Sequence, residues 1–159
     1  MDFITKLPNS EGFTTVMVVV DRLSKIARVA PLKPGFTAKV VAQKFLNSVV
    51  RYHGFPSSIV SDKDPLFLSR FCKQLFESCG TRLLYSIAYH LQTNGQTEVV
   101  NRTLEQYLRV FTDAHQAKWS LYLMWAEYCS NTFFRSTIEM SPYEALYGFA
   151  VCTISEYVN

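Results

Sequence analysis

A mixed α/β fold, with a five-stranded mixed sheet flanked by helices, follows from three observations. The opening of the chain holds β-branched runs separated by turn clusters and shows no helical period. The middle alternates short strand-like runs with amphipathic stretches, and the last part is helical in pattern throughout. Strands clustered first, then strands alternating with helices, give a mixed sheet covered by helices. With 159 residues, 48% apolar and 18% charged, the chain fits one globular domain with a sizeable core.

Element by element, Phe3 to Leu7 is a short extended segment, and Pro8-Asn9-Ser10-Glu11-Gly12 is a turn cluster. Thr14 to Asp21 is apolar almost throughout, as expected of a strand buried on both faces. Ile26 to Pro31 is the third strand. Thr37 caps a helix over Ala38 to Tyr52, with Val41, Phe45, Val49 and Tyr52 on one face; His53-Gly54-Phe55-Pro56 stops it. Ser58 to Ser61 is the fourth strand. Leu68 to Ser78 is a helix with Phe71, Leu75 and Phe76 inward and Gly80 at its end. Thr81 to Ser86 is the fifth strand. Thr93 or Asn94 caps a long helix reaching about Ala117, and Trp119 to Phe133 is an aromatic-rich helix. Ser141-Pro142-Tyr143-Glu144 is a capping box with Pro at the first helical position, and Gly148 is the stop. Residues 1–148 form the domain and 149–159 an irregular tail.

Composition excludes several classes. The longest apolar run, Val16 to Val20, is far short of the roughly 18 residues a membrane span requires. No secretory leader is expected at the start, so the Asn101-Arg102-Thr103 sequon reads as accidental. Cys72, Cys79, Cys129 and Cys152 form no C-x-x-C pair and have no histidine at zinc spacing, which suggests reduced thiols. The net charge of +3 is too mild to argue for a nucleic-acid partner alone.

Candidate chemistry rests on carboxylates. Asp62 ends the Ser58 to Ser61 strand, and Glu98 lies where a loop turns into the long helix, with 35 residues between them. Along that helix Asn94, Glu98, Asn101, Arg102, Glu105 and Arg109 make one polar stripe, opposite Val100, Leu104, Leu108 and Phe111. Asp2 precedes one strand and Asp21 ends another; pattern alone does not choose between them as a third acid. Three acids on separate elements are what a two-metal phosphoryl-transfer site needs.

The chain resembles the integrase catalytic core of gypsy-class LTR retrotransposons. The matching stretches are Met1-Asp2-Phe3-Ile4 with Leu7-Pro8, Val18 to Lys25, Ile59 to Asp64, Ala88-Tyr89-His90, Gln92 to Glu98, Asn101 to Glu105 and Met140 to Gly148. The resemblance implies a ribonuclease-H-like fold, with Asp2, Asp62 and Glu98 as catalytic acids and metal ligands. It makes Asp21 a strand-end residue, and sets Asn94, Gln96, Asn101 and Arg102 near bound DNA. It implies Mg²⁺ or Mn²⁺, two ions per site, to which oxygen ligands are suited. The implied reaction is metal-dependent 3′-end processing and strand transfer on DNA, by a polynucleotidyl transferase. Implied partners are DNA ends, target DNA and further copies of the chain, in the nucleus and with no membrane. On the same resemblance the chain begins inside the first strand, and a zinc-binding domain and a C-terminal DNA-binding domain belong to the full-length polyprotein.

The chain departs from the family pattern at Leu91 (usually Pro), Asn94 (usually Asp), Val99 (usually charged) and Cys72 (usually Trp). Those departures motivate an alternative: a catalytically inactive relic, acting at most as a dimerising or DNA-binding module. A true ribonuclease H would need a fourth acid, for which the chain offers no clear candidate.

Overall fold

The computed structural model describes residues 1–61, 69–85, 91–112 and 118–151, with backbone alone at 70, 71, 85, 91–98 and 110–112. Three strands open the chain: β1 Asp2–Ile4, β2 Thr15–Val20 and β3 Ala27–Leu32. They form an antiparallel sheet in the order β1-β2-β3, with Asp2 opposite Val18 and Val18 opposite Val29. The continuous apolar run of β2 is explained by burial on both faces. Met17, Ala30 and Leu32 pack on one side against Val41, Phe45 and Phe76. Val16, Val18 and Ala27 pack on the other against Val100, Leu104, Leu108, Trp119 and Leu123.

Helix α1 (Ala38–Phe45) continues as a π-helical stretch over Leu46–Val50 and ends in the turn α2 (Arg51–His53). Val41 and Phe45 are buried as expected, but Tyr52 is 61% exposed. The wider π-helical turn shifts the phase of the helix, so a face counted at a constant period misplaces its last member. Thr37 precedes α1 without a side-chain capping bond. Gly54 terminates the helix with φ +74, a conformation that disfavours side chains.

Strands β4 (Ser58–Ser61) and β5 (Arg82–Tyr85) pair in parallel through helix α3 (Arg70–Ser78). The α3 start lies at Ser69, whose Oγ accepts from the Cys72 N–H. Five strands are thus present among the described residues, as a three-stranded and a two-stranded sheet. The two meet where the Met1 nitrogen donates to the Val60 carbonyl at 2.7 Å. Positions past Ser61 that would extend this pairing lie outside the described residues.

Two long helices cover the second face. Helix α4 spans Leu91–Thr112 and helix α5 spans Trp119–Thr132. The α4 helix therefore starts before the expected caps at Thr93 and Asn94, and its extension toward Ala117 lies outside the described residues. Trp119 is buried and its Nε1 donates to the Pro8 carbonyl, while Leu121, Met124 and Trp125 face outward. The last helix, α6 (Pro142–Tyr147), is capped as its sequence predicts: the Ser141 Oγ accepts from the Glu144 N–H, and Gly148 is left-handed. Cys72 is buried and Cys79 and Cys129 half-buried, all as free thiols; Cys152 lies outside the described residues. No helix among the described residues is long and apolar enough to cross a membrane.

The open edge of β3 is closed by side chains of α5. The Asn131 amide accepts from the Ala27 N–H at 2.8 Å and donates to the Ala27 carbonyl at 2.9 Å. Glu127 accepts from the Val29 N–H at 2.8 Å and from Arg28 at 3.0 Å. Asn131 is 4% exposed, so Asn131→Leu leaves two backbone groups unpaired at about 1–3 kcal/mol each. The expected result is a Tm lower by roughly 5 °C or more in a thermal melt, about 2–4 °C per kcal/mol for a chain of this size.

Candidate functional site

Asp2 is the first residue of β1 and is half-buried. Its Oδ1 accepts from the Phe3 N–H at 2.8 Å, and its Oδ2 accepts from the Asn101 Nδ2 at 2.7 Å. Asn101 stands on α4 beside Val100, which with Leu104 and Leu108 packs against Ile4, Val16 and Val18. That apolar seam fixes the rotation of the helix and turns position 101 toward the start of β1. The amide orientation is set chemically, because reversing it would face its oxygen to a carboxylate oxygen. The other amide atom, Asn101 Oδ1, is buried and has no hydrogen-bond partner among the described residues. A buried acceptor without a donor is costly, so this atom marks a place where a water or a cation's hydration shell fits.

Asp62 lies outside the described residues; the strand that leads into it, β4, ends at Ser61. Because Met1 bonds Val60, the start of β1 and the end of β4 are neighbours. The backbone of Asn94, Gln96 and Glu98 runs in the first turns of α4, while their side chains lie outside the described residues. Arg102 is exposed one position beyond Asn101. Among the described residues no group of three His, Cys, Asp or Glu could hold a metal. The structure thus joins Asp2 to Asn101, contacts that sequence reading had assigned separately.

Asp21, the other strand-end acid, is occupied locally. Its Oδ2 accepts from the Ser24 N–H at 2.8 Å and the Ser24 Oγ at 2.7 Å. Burial pushes its carboxyl up, and the hydrogen bonds from Ser24, Leu23 and Arg22 outweigh it, leaving a net lowering. It acts as the anchor of the β2–β3 turn.

A cavity of about 670 Å³ opens beside Asp2, between Val19 and Val20 on one side and Ser58 to Val60 on the other. Phe45 and Val49 line it, and Arg28 and His53 stand at its rim. His53 accepts from the Arg28 Nε at 3.4 Å. Burial lowers the imidazole pKa and Arg28 adds to the lowering, against an upward pull from Asp21. His90 and His115 lie outside the described residues.

Comparison with known proteins follows the same lines. No protein-family profile matches the chain. The chain is 35% identical over 150 residues to the transposon Tf2-3 polyprotein of Schizosaccharomyces pombe (strain 972 / ATCC 24843), covering 94% of the chain and 11% of that polyprotein. The Tf2-4 polyprotein of the same organism matches equally. The chain therefore spans about a tenth of the length of these curated relatives. Among solved structures, a chain of the simian T-cell lymphotropic virus intasome in complex with PP2A regulatory subunit B56 gamma superposes with a TM-score of 0.78 at 17% identity, over 96% of this chain and 55% of that one. The HTLV-2 integrase catalytic core domain in complex with magnesium, in its trimeric form, gives 0.72 at 16% identity, over 91% and 93%.

Proposed function

The chain is homologous to a segment of the Tf2 transposon polyproteins and has the ribonuclease-H-like fold of integrase catalytic cores, and on that premise we propose that it is the catalytic core of a retroelement integrase. The proposed reaction is metal-dependent trimming of DNA 3′ ends and their transfer to target DNA. The observation that carries the reading is the contact between Asp2 and Asn101, 99 residues apart, at the junction of β1 and β4. Asp62 directly follows β4, and helical spacing sets Glu98 one turn before Asn101. In the proposed site these three carboxylates, from separate elements, would meet at one strand end. In this reading β1 lies between β2 and β4, and the five strands form one mixed sheet.

The donor set suits a hard cation: carboxylate oxygens with room for waters or phosphate oxygens. Asp2, Asp62 and Glu98 would hold it. A divalent cation held there would supply a nucleophile activated at neutral pH and stabilise the leaving oxygen. Asn101 donates to the Asp2 carboxylate and would hold its orientation for the metal. Arg102, with Asn94 and Gln96, would contact the DNA backbone near the reacting phosphate. Such contacts position the duplex and carry little sequence information. The outward face of α5 would pack against a second copy of the chain.

Metal titration tests this directly. An intact site is stabilised by about 2.7 kcal/mol at a Mg²⁺ concentration a hundredfold above its Kd. The expected result is a Mg²⁺- or Mn²⁺-dependent rise in Tm that Asp2→Asn removes. An inactive relic would show no rise in either protein.

A further inference from the structure

The π-helical stretch that turns Tyr52 away from the core turns it onto Arg28. Such wide turns inside helices are frequent at functional sites. The Arg28 Cζ lies 5.3 Å from the Tyr52 ring centroid and the Arg51 Cζ 5.8 Å, so two guanidinium groups flank one exposed ring. A second aromatic group meets the same guanidinium. Arg28 Nη2 donates to the Tyr147 hydroxyl at 3.4 Å. Tyr147 lies one turn beyond Tyr143 on α6, with the ring centroids 4.4 Å apart. The left-handed Gly148 bends the chain, and Phe149 returns toward both rings, at 5.9 and 6.4 Å. Tyr147 and Phe149 are still 43% and 59% exposed. Charge on this surface is unbalanced. Glu127 pairs with Arg28, and among the described residues that is the only ion pair, so the exposed Arg51 has no carboxylate partner there. The surface also lies apart from Asp2. Asp2 is opposite Val18, and Arg28 is opposite Val19. Successive strand residues point to opposite faces. Asp2 therefore shares the face where Asn101 of α4 bonds it, and Arg28 leaves the other face toward His53 of α2.

We propose that this surface binds single-stranded nucleic acid, with unpaired bases stacked on Tyr52 and Tyr147 and the phosphates beside them at Arg51 and Arg28. Stacking needs ring faces open to solvent, tolerates any base, and works with cations that track the backbone. Both are present here within the reach of one guanidinium. The Arg fork suits a phosphate, which takes up hydrogen bonds that a ring cannot. A duplex offers phosphates but keeps its bases stacked on one another, so it leaves Tyr52 and Tyr147 uncovered. An apolar protein face would cover the rings and bury Arg51 without a counter-charge, which is costly. A polyanion that carries its own flat ring faces satisfies the rings and the cations together. RNA and DNA share that chemistry and differ by the 2′-hydroxyl. Neither the rings nor the cations take part in the proposed metal site.

Fluorescence anisotropy of labelled oligo(dU) and oligo(U), about 15 nucleotides long to fill a single-strand site, tests this with the full chain in EDTA. Binding of either that weakens with salt supports the proposal, and their ratio tells DNA from RNA. No binding of either would overturn it. Tyr52→Leu and Tyr147→Leu should each weaken binding by about tenfold, while Tyr52→Phe, which keeps the ring, should stay within about twofold. Tyr52→Leu binding as well as the parent would overturn the stacking assignment. Arg51→Gln should reduce the slope of log affinity against log salt by about 0.7, the value for one phosphate contact on a single strand. A duplex of the same length should compete at least about tenfold less well; equal competition would reduce the contact to backbone attraction and overturn the proposal. Ultraviolet cross-linking of bromouracil oligonucleotides should mark Tyr52 or Tyr147, and cross-links confined to α4 would overturn the location. Light scattering covers the other occupant: if Tyr52→Leu changed the mass of the protein alone and left oligonucleotide affinity intact, the surface would be a contact between copies. Tyr52→Leu should keep the Mg²⁺-dependent rise in Tm, and Asp2→Asn should keep the oligonucleotide affinity, so this site and the metal site fail separately.

Discussion

Asp62→Asn and Glu98→Gln should each reduce Mg²⁺-dependent DNA nicking or strand transfer by more than about a hundredfold, the scale seen when one preorganised transition-state contact is lost. The expected stability effect has the opposite sign. Without metal, three carboxylates converging as proposed would repel, so neutralising one should leave the Tm unchanged or higher. With saturating Mg²⁺ the order reverses, because the variants lose the stabilisation that metal binding supplies. This crossing separates a ligand from a residue that merely supports the fold. A structural aspartate such as Asp21, which accepts twice from Ser24, should instead lower the Tm at every metal concentration when changed to Asn.

Asn101→Asp carries the second large effect. It sets a carboxylate where the amide nitrogen now lies 2.7 Å from the Asp2 Oδ2. The exchange removes a charge-assisted hydrogen bond, worth about 1.5–3 kcal/mol, and adds like-charge repulsion. A Tm lower by roughly 5–10 °C at pH 7.5 is expected. The pH dependence has a definite sign. Repulsion raises the folded-state pKa of the carboxylate pair above its unfolded value, so the paired, protonated form stabilises the fold at low pH. That stability is lost as pH rises through the raised value. The variant should therefore differ least from the parent near pH 4 and most at neutral pH. Added Mg²⁺ should recover part of the loss by neutralising the pair. Asn101→Leu, which removes the bond without adding charge, should cost less and show no such pH profile. If both variants melted alike across pH, Asn101 would not be oriented on Asp2.

Local chemistry made much of the fold legible. The Val18-Val19-Val20 run marks a strand covered on both faces, and Ser141-Pro142 with Gly148 brackets a short helix whose caps are present as read. Tyr52 and Trp125 were less legible, since helix period alone cannot register a π-helical turn or tell which aromatic of α5 reaches the core. The candidate site divides the same way. The choice between Asp2 and Asp21 looked open from pattern, although Asp21-Arg22-Leu23-Ser24 carries the spacing of a side chain bonding a backbone N–H in a turn. The Asp2–Asn101 contact had no local signal, because it joins residues 99 apart through the packing of α4 on β2. The polar stripe on α4 does not by itself say which member meets another element; in the fold, Asn101 is turned to the start of β1.

Mn²⁺ titration followed by amide NMR line broadening tests the central claim most directly, because a paramagnetic ion marks the nuclei nearest its site. Broadening should appear first at Asp2, Asp62, Glu98 and Asn101 together, and vanish in Asp62→Asn. Broadening centred elsewhere, or reaching Asp2 without Asp62 and Glu98, would contradict a shared metal site at the β1–β4 junction.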